Sequence, residues 1–141
     1  MRIAIVGARY PASGTLQRVH EFVRQLPAGT VIISGLAIGV DTAAHEAALE
    51  CGLCTDAHIP GPRIYPVVNT PLIRRIEAAG GKITFQPVFN PYIRNIRIVQ
   101  DCDKLIAFDC RPNSGTANTV AYARKIQKPV EIINAAEIPD L

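Results

Sequence analysis

Residues 31–45, VIISGLAIGVDTAAH, constrain this chain more than any other stretch. An apolar run leads into Ser34-Gly35, a second glycine follows at Gly39, and an alanine-rich segment opens with Asp41, a residue type that caps helices. That order reads as strand, glycine turn, helix. Glycines let the backbone turn sharply and approach a ligand closely, while a helix N-terminus offers free N–H groups and partial positive charge. The expected occupant of such a turn is phosphate, with Ser34, Gly35, Gly39 and Asp41 around it.

The flanking segments supply a sheet for this turn. Residues 2–6 (RIAIV) form a β-branched run ending in Gly7-Ala8-Arg9, and residues 15–26 carry Leu16, Val19, Phe22, Val23 and Leu26 at helical spacing. Pro27-Ala28-Gly29 separates that helix from a second strand over 31–33, which makes one β-α-β unit with a right-handed crossover. A second helix over 41–50 closes at Gly52. A poorly patterned stretch follows, with a short strand expected over 57–59. Asn69 or Thr70 caps the next helix, Pro71 lies in its first turn, and Leu72, Ile73 and Ile76 form its buried stripe before Gly80-Gly81. Residues 82–85 read as a fourth strand and 87–91 as a loop. Beyond it lie a helix bearing Ile93, Ile96, Ile98 and Val99, a strand over 104–108, a turn over 109–115, a helix over 116–127 and a last strand over 130–133.

Five or six apolar strands alternating with helices predict an α/β chain: a single Rossmann-like, doubly wound, mainly parallel sheet in a three-layer α/β/α arrangement. Hydrophobic residues at 48% against 19% charged fit a sheet covered on both faces. At 141 residues such a core needs no metal or disulfide. Residues 1–133 are read as one domain and 134–141 as a short tail. The first ten residues lack the pattern of a signal peptide, and no apolar run approaches the ~18 residues of a membrane span. The expectation is a soluble, cytoplasmic protein with no membrane partner. Cys51, Cys54, Cys102 and Cys110 are read as reduced thiols, without a metal or other cofactor.

A net charge of +3 is too small to announce a nucleic-acid binder, so local clustering has to carry that reading. Three loops at the strands' carboxyl ends bear suggestive residues: Gly7-Ala8-Arg9, the 34–41 turn, and Asn113-Ser114-Gly115-Thr116. Arg94 and Arg97 lie three apart, on one helical face, and arginine suits bidentate phosphate contact, although a solvated face explains such a pair as well. His45 and Asp41 share a helix face and would allow acid–base chemistry, but a packed histidine is the commoner outcome. Asp109 ends a strand and either supplies a carboxylate or shapes its turn. Tyr10, Tyr65, Phe89 and Tyr92 lie in or beside loops, where they stack on bases or pack against the sheet.

Together these residues resemble a known family. The run from Ser34 through Asp41 with Ala43-Ala44-His45 is similar to the SGLARGID…AAH signature of the DprA/Smf DNA-processing proteins. Gly7-Ala8-Arg9 resembles their Gly-Ser-Arg turn, Arg94-Asn95 their Arg-Asn, and Ser114-Gly115-Thr116 their Ser-Gly-Ser/Thr turn. The later part also resembles the small YspA-like members of the wider SLOG group of Rossmann-like nucleotide-binding domains. The resemblance implies a non-catalytic domain that binds single-stranded DNA, forms a homodimer and works with a RecA-like recombinase. Gly7, Ala8, Arg9, Ser34, Gly35, Gly39, Asp41, Arg94, Asn95, Ser114, Gly115 and Thr116 would form its phosphate or nucleotide site. Ile38 departs from the signature's arginine, which implies weaker DNA binding. The alternatives are a sensor of a nucleotide-derived ligand and a LOG-like nucleotide N-glycosidase. The latter branch carries a glutamate where Thr119 stands and a lysine where Asn95 stands.

Overall fold

The computed structural model describes residues 1–134. Six strands form one sheet: β1 Arg2–Gly7, β2 Val31–Ser34, β3 Cys54–His58, β4 Ile83–Thr84, β5 Lys104–Phe108 and β6 Val130–Ile133. Their order is β4-β3-β2-β1-β5-β6, and every pairing is parallel. The helices are α1 Thr15–Arg24, α2 Val40–Glu50, α3 Thr70–Ala78, α4 Pro91–Asp101 and α5 Gly115–Lys125. This is the expected doubly wound α/β domain.

Strand alternation divides the core. Ile3, Ile5, Ile32, Ile106 and Phe108 face α1 and α2, where Val19, Val23, Ala44 and Ala48 meet them. Ala4, Val6, Ile33, Leu105 and Ala107 face the opposite side and pack on Ile98 and Val99 of α4 and Val120 and Ala123 of α5. The α3 residues Leu72, Ile73 and Ile76 close a third cluster over Ala57 and Leu36. The chain moves outward from β1 through β2 and β3 to β4, then returns to the other side of β1 at β5. The loops after β1 and β5 therefore diverge and leave a crevice, which is where ligands bind in sheets of this type.

Several boundaries differ from the sequence reading. The third strand begins at Cys54, three residues before the expected 57–59, because its polar residues have buried uses that hide the strand pattern. Thr55 Oγ1 donates to the Ile32 carbonyl (3.0 Å) and Asp56 pairs with Arg2 (3.1 Å). The fourth strand is shorter than 82–85. Asn69 occupies the N-cap position of α3, one of the two expected, but its side chain makes no capping bond; its Nδ2 donates to the Leu36 carbonyl (2.7 Å) and Thr42 Oγ1 (2.9 Å), pinning the 60–69 connection to the glycine turn. Helix α2 starts at Val40 with Gly39 as cap, so Asp41 lies inside the first turn and not before it. Of the expected 134–141 tail, only Asn134 is described, its Oδ1 accepting from the Cys110 N–H (2.8 Å). Among the described residues, no helix is long and apolar enough to cross a membrane.

Candidate functional site

A cleft of about 440 Å³ opens over the carboxyl ends of β1 and β5. The β1–α1 loop contributes Gly7, Ala8, Arg9 and Tyr10, and the β2–α2 turn contributes Ala37 with Asp41 behind it. Helix α4 contributes Tyr92, Arg94 and Asn95. The β5–α5 turn and the start of α5 bring Asp109, Arg111, Ser114, Gly115, Thr116, Asn118 and Thr119. Nine of the twelve expected residues thus border one space: Gly7, Ala8, Arg9, Asp41, Arg94, Asn95, Ser114, Gly115 and Thr116.

The other three shape the cleft without bordering it. Ser34 is fully buried, and its Oγ donates to the Ile5 carbonyl, tying β2 to β1. Gly39 has φ 86°, and a Cβ there would strike the Ala8 and Arg9 carbonyls, so only glycine lets the β2–α2 turn lie against the β1–α1 loop. The Val40 N–H donates to the Ala8 carbonyl (3.2 Å) across this contact. At Gly35 a Cβ would come within 2.7 Å of the Arg94 guanidinium, so the absent side chain is the space into which Arg94 fits.

Arg94 reaches this position from α4 on the far side of the sheet. Its Nη1 donates to the Gly35 carbonyl (2.7 Å) and its Nε to Asn95 Oδ1 (2.8 Å). Burial lowers its pKa from the usual arginine value, a shift that the Asp41 charge opposes. Burial likewise pushes the Asp41 carboxyl up to about 6, with the Arg94 charge and the Ala37 N–H pulling the other way. The first turn of α2, expected to hold an external anion, carries this carboxyl group itself, and its Val40 and Thr42 N–H groups donate to the Ala8 and Ala37 carbonyls. Arg97 is exposed and borders neither this cleft nor the smaller cavity beside it, so the expected Arg94–Arg97 pair does not form.

The first turn of α5 is differently arranged. Ser114 caps it, its Oγ accepting from the Ala117 N–H (3.1 Å). Gly115 and Thr116 present the helix start to the cleft, where their backbone N–H groups add to the positive end of an eleven-residue helix. Arg9, exposed at the rim, makes no ion pair among the described residues. Asp109 adopts φ 52°, and its Oδ2 accepts from the Ala12 N–H (2.9 Å) and pairs with Arg111 (2.7 Å). These bonds hold the turn after β5 against the β1–α1 loop. Arg111, whose Nη2 also donates to the Tyr10 carbonyl (2.9 Å), was not singled out from sequence. It lies in an irregular turn whose closure on the β1 loop has no periodic signature.

The family pattern described as DNA recombination-mediator protein A matches residues 1–138. The chain belongs to this family. It is 30% identical over 137 residues to protein Smf of a Synechocystis strain, an alignment that takes in 91% of this chain and 34% of that protein. The crystal structure of DNA processing protein A from Streptococcus pneumoniae superposes with a TM-score of 0.80 at 30% identity, covering 93% of this chain and 49% of that one. DNA processing protein A from Helicobacter pylori, described by its single-stranded DNA binding mode, gives a TM-score of 0.80 at 30% identity over 94% of this chain and 64% of that one. The chain spans about a third of the length of its Synechocystis relative.

Proposed function

We propose that this domain binds single-stranded DNA without catalysing a reaction on it, seating backbone phosphates in the cleft over β1 and β5. The observation that carries the reading is the convergence of the open α5 N-terminus with Arg9, a cation without an ion pair among the described residues. Membership of a family with a single-stranded DNA-binding relative supports the same ligand. Both carboxyl groups of the cleft are engaged: Asp109 with Arg111, and Asp41 beside Arg94. Thr119 Oγ1 donates to the Gly115 carbonyl (2.9 Å) at the place of the hydrolase branch's glutamate, which weighs against N-glycosidase chemistry. Self-association and a RecA-like recombinase partner belong to the same reading.

The test is fluorescence anisotropy with a labelled oligothymidylate over a salt series. Binding is expected to weaken linearly on logarithmic axes as counterions cease to be released, and Arg9→Ala is expected to lower the slope by about one. Undetectable binding at low salt overturns the reading. Gly115→Ala provides a sharper probe. A Cβ at Gly115 meets nothing within 4 Å and therefore projects into open space at the helix start. The variant should melt at or slightly above the wild-type temperature, since alanine is favoured over glycine in a helix by about 0.5–1 kcal/mol. Oligonucleotide affinity should nonetheless fall about tenfold, the loss of one close backbone–phosphate approach.

A volume of about 440 Å³ also suits a small ligand, which favours a nucleotide sensor as the second reading. A nucleoside monophosphate that raises the melting temperature, in a protein that does not bind the oligonucleotide, would establish it. Release of free base would instead restore the hydrolase.

A further inference from the structure

Folding ordinarily turns carboxamides toward water and valines inward, and two adjoining loops of this chain do the reverse. In the 65–69 stretch Asn69 is buried, bonded to the Leu36 carbonyl and Thr42, while Val67 and Val68 are 74% and 72% exposed. In the 85–90 stretch Gln86 is buried, its Nε2 donating to the Pro60 and Asn90 carbonyls (3.0 and 3.1 Å), while Val88 is 73% exposed and Phe89 52%. The two loops are laced together. The Gln86 and Asn90 N–H groups donate to the Gly61 and Pro60 carbonyls (3.0 and 2.7 Å), and Phe89 packs edge-on against Tyr65. Buried amides thus hold the backbone in a form that presents apolar side chains to water. Of the twelve large apolar side chains exposed among the described residues, eight lie between 65 and 93.

We propose that this face docks a partner protein through an acidic segment in which aliphatic or aromatic side chains stand among carboxylates. Val67, Val68, Phe85, Val88, Phe89 and Ile93 border neither the cleft nor the smaller cavity beside it, so the phosphate reading leaves them without a use. Concentrated apolar exposure of this kind marks interaction surfaces. Charge complementarity selects the occupant. Residues 60–97 carry six arginines and lysines against one acidic residue, Glu77. Arg63, Arg74, Arg75, Lys82 and Arg97 are exposed and make no ion pair among the described residues. Two other occupants fit less well. A second copy, paired about a two-fold axis, would set these cations against their own counterparts. A nucleic-acid strand would answer the charge, but the most exposed residues of the face are valines, which have no ring to stack on a base. Carboxylates with apolar neighbours answer both features, and loops already fixed by Asn69 and Gln86 pay little ordering entropy on binding. The proposal does not depend on the domain binding DNA.

The experiment selects displayed random peptides on the wild-type protein and measures the selected sequences, synthesised with a fluorophore, by anisotropy. Sequences rich in aspartate or glutamate together with leucine, isoleucine or phenylalanine are expected. The double variant Val67→Ser/Val88→Ser should melt at the wild-type temperature, since both side chains are exposed, and should bind these peptides at least about tenfold more weakly. Its affinity for oligothymidylate should equal that of the wild type. Replacing the peptide's carboxylates by amides should weaken binding to the wild type about tenfold as well, a test that requires no variant of the protein. Selection of no peptide overturns the proposal, as does selection of peptides indifferent to the valine pair or to their own carboxylates. Sedimentation of the wild type as a dimer that the double variant dissociates would assign the face to a second copy, and loss of oligothymidylate affinity in the double variant would assign it to DNA; either result also overturns the proposal. A wild type that binds the acidic peptides but no oligothymidylate sinks the DNA reading and upholds the docking face.

Discussion

Arg94→Ala is expected to destabilise the domain by about 3 kcal/mol, a loss that would lower its melting temperature on the order of 10 °C. The cost has three sources. The Gly35 carbonyl loses its donor at 2.7 Å, the space beside Gly35 is left unfilled, and Asp41 loses its neighbouring positive charge. The third source is limited by chemistry, because a carboxyl already raised to about 6 takes up a proton once the arginine is gone. Asp41→Asn in the same chain should therefore recover part of the stability. It should not recover oligonucleotide affinity, expected to fall more than tenfold, since the guanidinium also borders the cleft. Thermal denaturation of the two single variants and the double variant measures the coupling. An unchanged melting temperature in Arg94→Ala would mean that the arginine is not a structural member of the site.

How much of this was legible in the sequence depends on what each residue bonds to. Continuous apolar runs in β1 and β5 and helical spacing in α1 announced the parallel sheet, because strands covered on both faces bury every side chain and a surface helix buries one stripe. The strand Cys54–His58 was misplaced because Thr55, Asp56 and His58 form bonds to distant groups: Ile32, Arg2 and Asp101. Polar residues satisfied across the fold look like loop in a linear reading. The site divided along the same line. That Gly115 and Thr116 open a helix was legible because a turn and a helix start are local. That Arg94 turns inward while Arg97 points to solvent was not, since helical spacing alone places both on one side. Asp41 likewise read as an external cap or ligand, and only the three-dimensional approach of Arg94 reveals it as the arginine's buried electrostatic neighbour. The resemblance to DNA-processing proteins supplied the grouping of residues, while the division of labour among them came from burial.

Acid stability offers the second large effect, and it turns on His45. This histidine is fully buried, with Nδ1 2.7 Å from Thr55 Oγ1. Because that hydroxyl gives its proton to the Ile32 carbonyl, Nδ1 carries the ring hydrogen and Nε2 is left without a hydrogen-bond partner of ordinary geometry. Burial lowers the His45 pKa to about 3, an effect only partly offset by the Ser34 backbone and the Asp56 charge. Between pH 6.5 and about 3 the unfolded chain then binds one more proton than the folded chain at this position, so His45 alone makes stability fall as pH falls, by about 1.4 kcal/mol per unit. Asp41 acts in the opposite sense. Its folded pKa near 6 lies above the usual 3.8, so between those values the folded chain binds the extra proton and stability rises on acidification. The two contributions should nearly cancel between pH 6 and pH 4. His45→Leu removes one of them and also removes the unpartnered Nε2. Its stability at pH 7 should stay within about 1.5 kcal/mol of wild type, as expected for a hydrophobic replacement of similar volume. From pH 6 to pH 4 the variant should gain stability relative to wild type, on the order of 2 kcal/mol. Urea denaturation midpoints for both proteins at the two pH values decide the matter, and parallel pH dependence would show that His45 titrates alike in the folded and unfolded chain.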